Sequence, residues 1–199
     1  MDPMKTAIDH LHDAGSSLRM AELLRLGVSR RQLYSLLEQG RIVKLCRGLY
    51  RLAELAEPDD PDLTLVAARL PQAVLCLSSA LSFHRLTTQV PPVIHLAFPP
   101  KTRTPRIDGL FIEAHHFSEA SFAAGVELHP MSAASLRVYD REKTLVDCFK
   151  FRHRIGLDLF IEALKFYRSG PSFHGDKLLD YARICRVERQ IRPYLEMVQ

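Results

Sequence analysis

Residues 29–52 read SRRQLYSLLEQGRIVKLCRGLYRL and join a short basic helix to a basic hairpin. Ser29 is a favourable N-cap, and Gln32 three positions later completes a capping-box pattern. The spacing therefore predicts a helix over residues 30–39 that ends at Gly40. The apolar residues of this helix share one face: Leu33, Leu36 and Leu37.

The segment that follows this helix has the pattern of a β-hairpin. Residues 41–45 alternate polar and apolar, residues 46–48 supply a glycine-containing turn, and residues 49–52 return. Two earlier helices are predicted over residues 4–14 and 18–26, each followed by a glycine. Two helices, a basic helix and a hairpin in this order predict a winged helix-turn-helix.

The positions of the basic residues favour duplex DNA as the partner of this module. The third helix would enter the major groove, where side chains near its N-terminus reach base edges, and the hairpin would contact phosphates. The predicted DNA-binding residues are Arg30, Arg31, Gln32, Tyr34 and Ser35 on the helix, and Lys44, Arg47 and Arg51 on the hairpin. Two alternatives stay open: the arginines only solvate a small helical domain, or the module binds a protein.

The charge distribution predicts a domain boundary that the formal net charge of +4 conceals. Residues 1–52 carry nine Lys and Arg against five acidic residues, whereas residues 53–62 carry five acidic residues, two prolines and no base. We therefore predict a winged helix over residues 1–53, an acidic linker over 54–62 and a second domain over 63–199. A content of 47% hydrophobic and 25% charged residues excludes wholesale disorder.

The second domain combines short apolar strands with helices. A helix is expected from a cap at Asp62, another from a cap at Ser78, and helices dominate from a cap at Asp140 to the C-terminus. The predicted strands are residues 73–77, 93–98, 110–114, 126–129 and 136–139. The predicted fold class is α+β, an N-terminal winged helix-turn-helix followed by a mixed α/β domain with a helical C-terminal end.

The sequence shows no recognisable catalytic or metal-binding constellation. Adjacent His115 and His116 on a strand point to opposite faces, and His84, His95 and His129 are expected to be ordinary core or surface histidines. The four cysteines are widely spaced, which predicts neither a zinc site nor a disulfide framework. We expect no catalytic residue, no cofactor and no metal, and hence a protein that is not an enzyme.

Other expectations concern the location of the protein in the cell and the contacts of single residues of the second domain. No run of 18 apolar residues and no apolar leader occurs, which predicts a cytoplasmic protein without membrane association. Asp147 is expected to form a salt bridge with Arg141, Lys143 or Arg152, with a partner contact as the alternative. For His84 and Arg85, packing and helix capping are favoured over a partner contact.

Residues 21–34 read AELLRLGVSRRQLY and are followed by Gly40, Ile42 and residues 47–51 (RGLYR). In these residues the N-terminal module resembles the winged helix of the AbiEi family, the antitoxins of type IV toxin–antitoxin systems. The second domain is similar to the C-terminal region of the same family. The matching motifs are residues 77–88 (LSSALSFHRLTT) with Pro91, residues 140–149 (DREKTLVDCF), and residues 156–158 (GLD) followed by 162–164 (EAL). Residues 171–199 carry no motif of the family.

The resemblance implies a cytoplasmic antitoxin that counters a nucleotidyltransferase-type toxin, directly or indirectly, and represses its own operon. The DNA partner would be an operator with inverted repeats, because one winged helix has a small footprint and two copies would bind side by side. In solution the protein would be a monomer or a weak dimer. Two alternatives from other classes stay open: a one-component transcriptional regulator with a small-molecule-sensing C-terminal domain, and a DNA-targeted nuclease or nucleotidyltransferase.

Overall fold

The computed structural model describes residues 3–13, 17–46, 48–54, 60–103, 106–131, 134–171 and 173–197. The chain divides into two compact units, the first formed by residues 1–71 with 130–136 and the second by residues 72–129 with 137–199. Residues 61–71 thus group with the N-terminal unit, whereas the sequence analysis placed residues 63–199 in one domain. The assignment of domains stays a prediction.

The N-terminal unit has the topology of a winged helix-turn-helix. Its elements are α1 (Pro3–Asp13), β1 (Ser17–Arg19), α2 (Met20–Arg25), α3 (Arg30–Glu38), β2 (Ile42–Cys46), β3 (Leu49–Leu52) and α4 (Pro61–Arg69). The three strands form an antiparallel sheet in the order β1-β3-β2. The core beneath it is apolar and includes Leu11, Leu23, Leu33, Leu36 and Tyr50.

Strand β1 is absent from the sequence prediction, which placed Leu18 at the start of a helix. The structure instead pairs Leu18 with Tyr50 of β3, and the helix begins at Met20. A three-residue strand is too short to show a period of two, so only its partner strand reveals it.

The predicted linker is shorter than expected at its C-terminal end. Asp60 caps α4 by accepting a hydrogen bond of 2.8 Å from the backbone N–H of Leu63, and Pro61 occupies the first turn. The predicted cap at Asp62 is therefore wrong, and residues 61 and 62 belong to the helix. Residues 55–59 lie outside the described part of the chain.

The second unit is a five-stranded sheet with helices. Its elements are β4 (Val74–Leu75), α5 (Leu77–Phe83), β5 (Ile94–Phe98), β6 (Ile112–His116), α6 (Glu119–Ala123), β7 (Val126–Pro130), β8 (Ser135–Tyr139), α7 (Arg141–Lys150), α8 (Arg152–Ile155), α9 (Leu157–Ser169), α10 (Gly175–Ile184) and α11 (Glu188–Glu196). The strand order is β6-β5-β4-β8-β7, with β4 antiparallel to β5 and parallel to β8, and β5 parallel to β6. The predicted α+β class and the helical C-terminal end are confirmed. No helix of the described residues is long and apolar enough to cross a bilayer.

The start of α5 corrects one predicted cap. The N-cap is Cys76 and the helix begins at Leu77, so Ser78 lies inside it. The neighbouring Ser79 instead accepts a 2.9 Å hydrogen bond from the backbone N–H of His95 and donates to the carbonyl of Val93. Its hydroxyl thus ties α5 to the start of β5.

Candidate nucleic-acid interface and the polar centres of the second unit

Helix α3 begins where the sequence predicts, because both capping bonds form. The backbone N–H of Gln32 donates to the Ser29 hydroxyl over 3.3 Å, and the Ser29 N–H donates to Gln32 Oε1 over 2.6 Å. Arg30 and Arg31 are exposed in the first turn. Their guanidinium groups are therefore available at the end of the helix that would enter a groove.

The remaining α3 residues of the predicted interface differ in exposure and in the hydrogen bonds that they already form. Tyr34 is 51% exposed, whereas Ser35 is half-buried and accepts a 3.0 Å hydrogen bond from Gln39 Nε2. Gln32 uses its Oε1 in the cap, and bidentate recognition of adenine needs both the oxygen and the amide nitrogen. While the cap is intact, Gln32 can offer DNA only its Nε2 donors.

The basic side chains described on the two hairpin strands differ in exposure. Lys44 is exposed on β2, but Arg51 is only 5% exposed on β3. Strand β3 is the central strand of the sheet, and Leu49, on the same face as Arg51, borders a cavity of about 110 Å³ with Pro61 and Leu65 of α4. Because this face is covered, the Arg51 side chain is not exposed for the phosphate contact that the sequence predicts. Arg47 lies outside the described residues.

Helix α7 contains a fully buried ion pair. Lys143 Nζ lies 2.5 Å from Asp147 Oδ2, and neither side chain is exposed. The ammonium group also lies 4.1 Å from the ring centroid of Tyr139 and 5.0 Å from that of Phe117. Burial raises the pKa of Asp147, and the positive charge of Lys143 opposes that rise. Of the three bases that the sequence offered, Lys143 is the partner.

Two acidic residues at the start of α7 bind side chains of α9 and α10. Asp140 caps α7 by accepting from the Lys143 N–H over 2.7 Å, and its second oxygen accepts from Tyr181 over 2.6 Å. Glu142 accepts from Tyr167 and, over 2.9 Å, from Lys177. Burial alone would raise the pKa of Glu142, but the hydrogen bonds from Tyr167 and Lys177 outweigh it and hold the pKa below its usual value.

Residues of two different family-like motifs are also hydrogen-bonded to one another. Glu162 of α9 accepts hydrogen bonds from the Thr88 N–H over 2.9 Å and from the Thr87 hydroxyl over 3.1 Å. His84 Nε2 lies 2.7 Å from the carbonyl oxygen of Tyr139, at the end of β8. The motif at residues 77–88 therefore contacts the motif at residues 162–164 through exposed and partly buried hydrogen bonds. Residues 171–199 contribute Lys177 and Tyr181 to the hydrogen bonds at the start of α7, which no motif indicated.

A pair of buried histidines forms a second polar centre, on β5 and β6. His95 Nδ1 lies 2.9 Å from His115 Nε2, and Glu113 places its carboxylate oxygens 3.7 Å from His115 Nε2 and 3.9 Å from His95 Nδ1. Burial, and then the neighbouring His95, lowers the pKa of His115 to about 4. Burial also lowers the pKa of His95. Burial therefore disfavours the protonated form of both imidazoles.

The sequence analysis missed this pairing. His115 is buried and His116 exposed, so the expectation that they point to opposite faces is confirmed. His95, which the sequence predicts to be an ordinary core or surface histidine, is buried beside His115, because β5 and β6 are neighbours in the sheet and carry both residues to the same face. Side chains alternate between the two faces of β6, which places Glu113 and His115 on one face. This alternation is the sequence signal that indicates part of the cluster.

A cavity of about 560 Å³ adjoins the histidine pair. It is lined by His95 and Glu113 together with Ser78, Val90 and Arg154. The guanidinium of Arg154 lies 3.0 Å from Glu113 Oε1. The cavity lining therefore combines one imidazole, a carboxylate and a cation.

The chain begins with a winged helix-turn-helix, whose third helix is basic and exposed. A mixed α/β unit follows it along the chain. Residues 7–53 match the family described as "Transcriptional regulator, AbiEi antitoxin". This match covers the winged helix and confirms the resemblance predicted for it. Residues 7–53 are thus similar to the family of AbiEi antitoxin transcriptional regulators.

A solved structure extends the similarity to the second unit. The RV2827C protein from Mycobacterium tuberculosis superposes with a TM-score of 0.61 at 14% identity, over 100% of this chain and 78% of the other. At that identity the similarity shows a shared fold alone. The comparison with curated proteins found no match.

Proposed function

We propose that this protein is the antitoxin of a type IV-like toxin–antitoxin system and a DNA-binding repressor of its own operon. It would act in the cytoplasm and counter a toxin of the nucleotidyltransferase type. The observation that carries the proposal is the family match over residues 7–53, on a winged helix whose third helix exposes Arg30 and Arg31.

In the proposed complex, α3 lies in the major groove of the operator. Arg30 and Arg31 contact base edges, and Tyr34 and Ser35 present hydroxyl groups to the same groove. Lys44 contacts a phosphate from the hairpin, and Arg47 stays a predicted phosphate contact. Two copies occupy the two halves of an inverted repeat, since one winged helix covers a single half-site.

The second unit carries the antitoxic action, which we propose to be non-catalytic. Its acidic residues on α7 are bound internally: Asp147 by Lys143, and Glu142 by Tyr167 and Lys177. This engagement supports a structural role for the family-like motif rather than a reactive one. Other, exposed parts of the unit would bind the toxin, or the unit would counter the toxin indirectly.

The experiment that tests the proposal measures both activities of the full-length chain. Gel shifts on the chain's own promoter would be compared for wild type and for Arg30→Ala combined with Arg31→Ala. The double variant should lose roughly 1–3 kcal/mol of binding free energy per base contact. Lys165→Ala with Arg189→Ala is the matched control, because it removes two exposed charges from the second unit.

Co-expression with the neighbouring reading frame supplies the second readout. The Arg30→Ala, Arg31→Ala variant should still rescue growth from the toxin, because the antitoxic action lies in the other unit. Rescue by neither wild type nor variant would contradict the antitoxin assignment, and an unchanged promoter affinity would contradict the placement of α3 in the groove.

A ligand-sensing one-component regulator is the second candidate. The cavity of about 560 Å³, with Arg154 and Glu113 in its lining, favours it. A small molecule that releases the protein from its promoter, in the absence of any toxin rescue, would favour this candidate over the antitoxin.

A further inference from the structure

We propose that His95, Glu113 and His115 form a binding site for a divalent transition-metal ion of the zinc type. The site lies on the sheet of the second unit and is independent of the proposed DNA contacts. It adds a metal ion to a unit for which the sequence analysis expected none.

The donor atoms lie close to the spacing of a metal coordination shell, all within 4.8 Å of one another. The imidazole nitrogens are 2.9 Å apart, His115 Nε2 lies 3.7 Å from Glu113 Oε1, and His95 Nδ1 lies 3.9 Å from Glu113 Oε2. Zn–N and Zn–O bonds of about 2.0–2.2 Å place the ligands of a tetrahedral site roughly 3.3–3.6 Å apart. Movements of a few tenths of an ångström would bring these atoms into that range.

The sheet holds the three side chains in place before any ion arrives. His95 is the register partner of Glu113 in the parallel pair β5–β6, and His115 follows Glu113 by two positions on the same face. His95 and His115 are 7% and 3% exposed, so packing restricts their rings. Donors on neighbouring strands lose little conformational freedom on binding.

The donor set matches the chemistry of zinc. Two neutral imidazoles and one carboxylate are a common three-ligand set for Zn²⁺, and imidazole also suits copper, iron and nickel. A direct hydrogen bond between the two imidazoles is the simpler account of the 2.9 Å contact. A hydrogen bond between the two imidazoles does not require Glu113, whereas the proposed metal site does. Substitution of Glu113 therefore distinguishes the two explanations.

The adjoining cavity leaves room for a further ligand. Three protein donors leave at least one coordination position, and His95 and Glu113 both line the cavity of about 560 Å³. Arg154 also lines it and contacts Glu113, but its side chain is 61% exposed and can move aside or remain on the second carboxylate oxygen. We infer that water or a small anion would complete the coordination.

The test is zinc titration of the full-length, chelator-stripped protein against a fluorescent zinc chelator. Wild type should bind one tight Zn²⁺ per chain. Glu113→Gln and His115→Ala should each weaken that affinity at least about 100-fold, because loss of a direct ligand should cost as much as or more than loss of an outer-shell partner. His116→Ala, on the exposed face of the same strand, is the matched control and should bind as wild type does.

Two further readouts separate coordination from folding. Zinc should raise the melting temperature of wild type and of His116→Ala but not of Glu113→Gln, whose half-buried side chain is replaced by one of equal size. Bound Co²⁺ should show the visible absorption of a low-coordinate site with nitrogen and oxygen ligands and no thiolate band. Zinc affinity in Glu113→Gln equal to that of wild type, or no tight binding by wild type, would overturn the proposal.

Discussion

In α7 the ammonium nitrogen of Lys143 lies 2.5 Å from a carboxylate oxygen of Asp147, one helical turn further along, and neither side chain reaches solvent. Aromatic rings of Tyr139 and Phe117 flank the ammonium group. Desolvation of two charges is costly, and their attraction offsets that cost only while both partners are present. The pair therefore makes the stability of the second unit sensitive to either residue alone.

Replacing Lys143 by Met should destabilise the protein by about 3–5 kcal/mol, because Asp147 would remain buried without its counter-charge. Urea denaturation followed by circular dichroism would measure the change. The double variant Lys143→Met with Asp147→Leu should recover most of the loss, since no charge then stays buried. A double variant that is less stable than the single one would contradict this interpretation.

Gly125 should not tolerate a side chain. Its φ is +72°, and a Cβ there would lie 2.7 Å from Cβ of Lys143. Gly125→Ala should therefore cost roughly 1–2 kcal/mol for the backbone conformation and a further 1–3 kcal/mol for the clash. Gly109→Ala is the matched control, with φ +86° and no described atom within 4 Å of the added carbon. Equal losses of unfolding free energy in the two variants would contradict the clash.

Stability should fall at acid pH partly through Glu142. The pKa of this carboxyl is lower in the folded protein than its usual value, so the folded state gains stability above the usual carboxyl pKa. That gain is lost as the pH falls through the folded-state pKa, when Tyr167 and Lys177 lose their charged acceptor. Melting temperatures from neutral pH down to about pH 2 should therefore decline less steeply for Glu142→Gln than for wild type. Glu119→Gln, exposed on α6, should retain the wild-type slope.

The two basic residues of the hairpin strands should differ in their effect on DNA binding. Lys44→Ala should reduce the slope of log K against log salt by about 0.9, the value for one phosphate contact. Arg51→Met should leave that slope unchanged, because the Arg51 side chain is buried. Promoter titrations at several salt concentrations would measure both. A reduced slope for Arg51→Met would show that the arginine leaves its buried position on the DNA.

The elements with strong local signals could be predicted from the sequence. The Ser29 and Gln32 capping box predicts the start of α3, and Asp140 likewise predicts the start of α7. The apolar stripe from Leu157 to Tyr167 predicts α9. Each signal lies within a few residues of the chain, since a cap or a helical period is a local property.

Contacts between distant segments of the chain determined the features that local sequence patterns did not predict. Strand β1 exists because Leu18 pairs with Tyr50, and Arg51 is buried because the face of β3 that carries it is covered. Asp147 had three candidate bases, and the geometry of one helical turn selected Lys143. The local pattern contains none of this information, because it depends on which distant segment lies alongside.

The sequence alone determined the basic third helix and the hairpin, through caps, periodicity and charge. The predicted DNA-binding module follows from these two elements. The meeting of His95 with Glu113 and His115 was decided only by the tertiary structure. Those residues are almost twenty positions apart along the chain, and hydrogen bonding between β5 and β6 is what brings them into register.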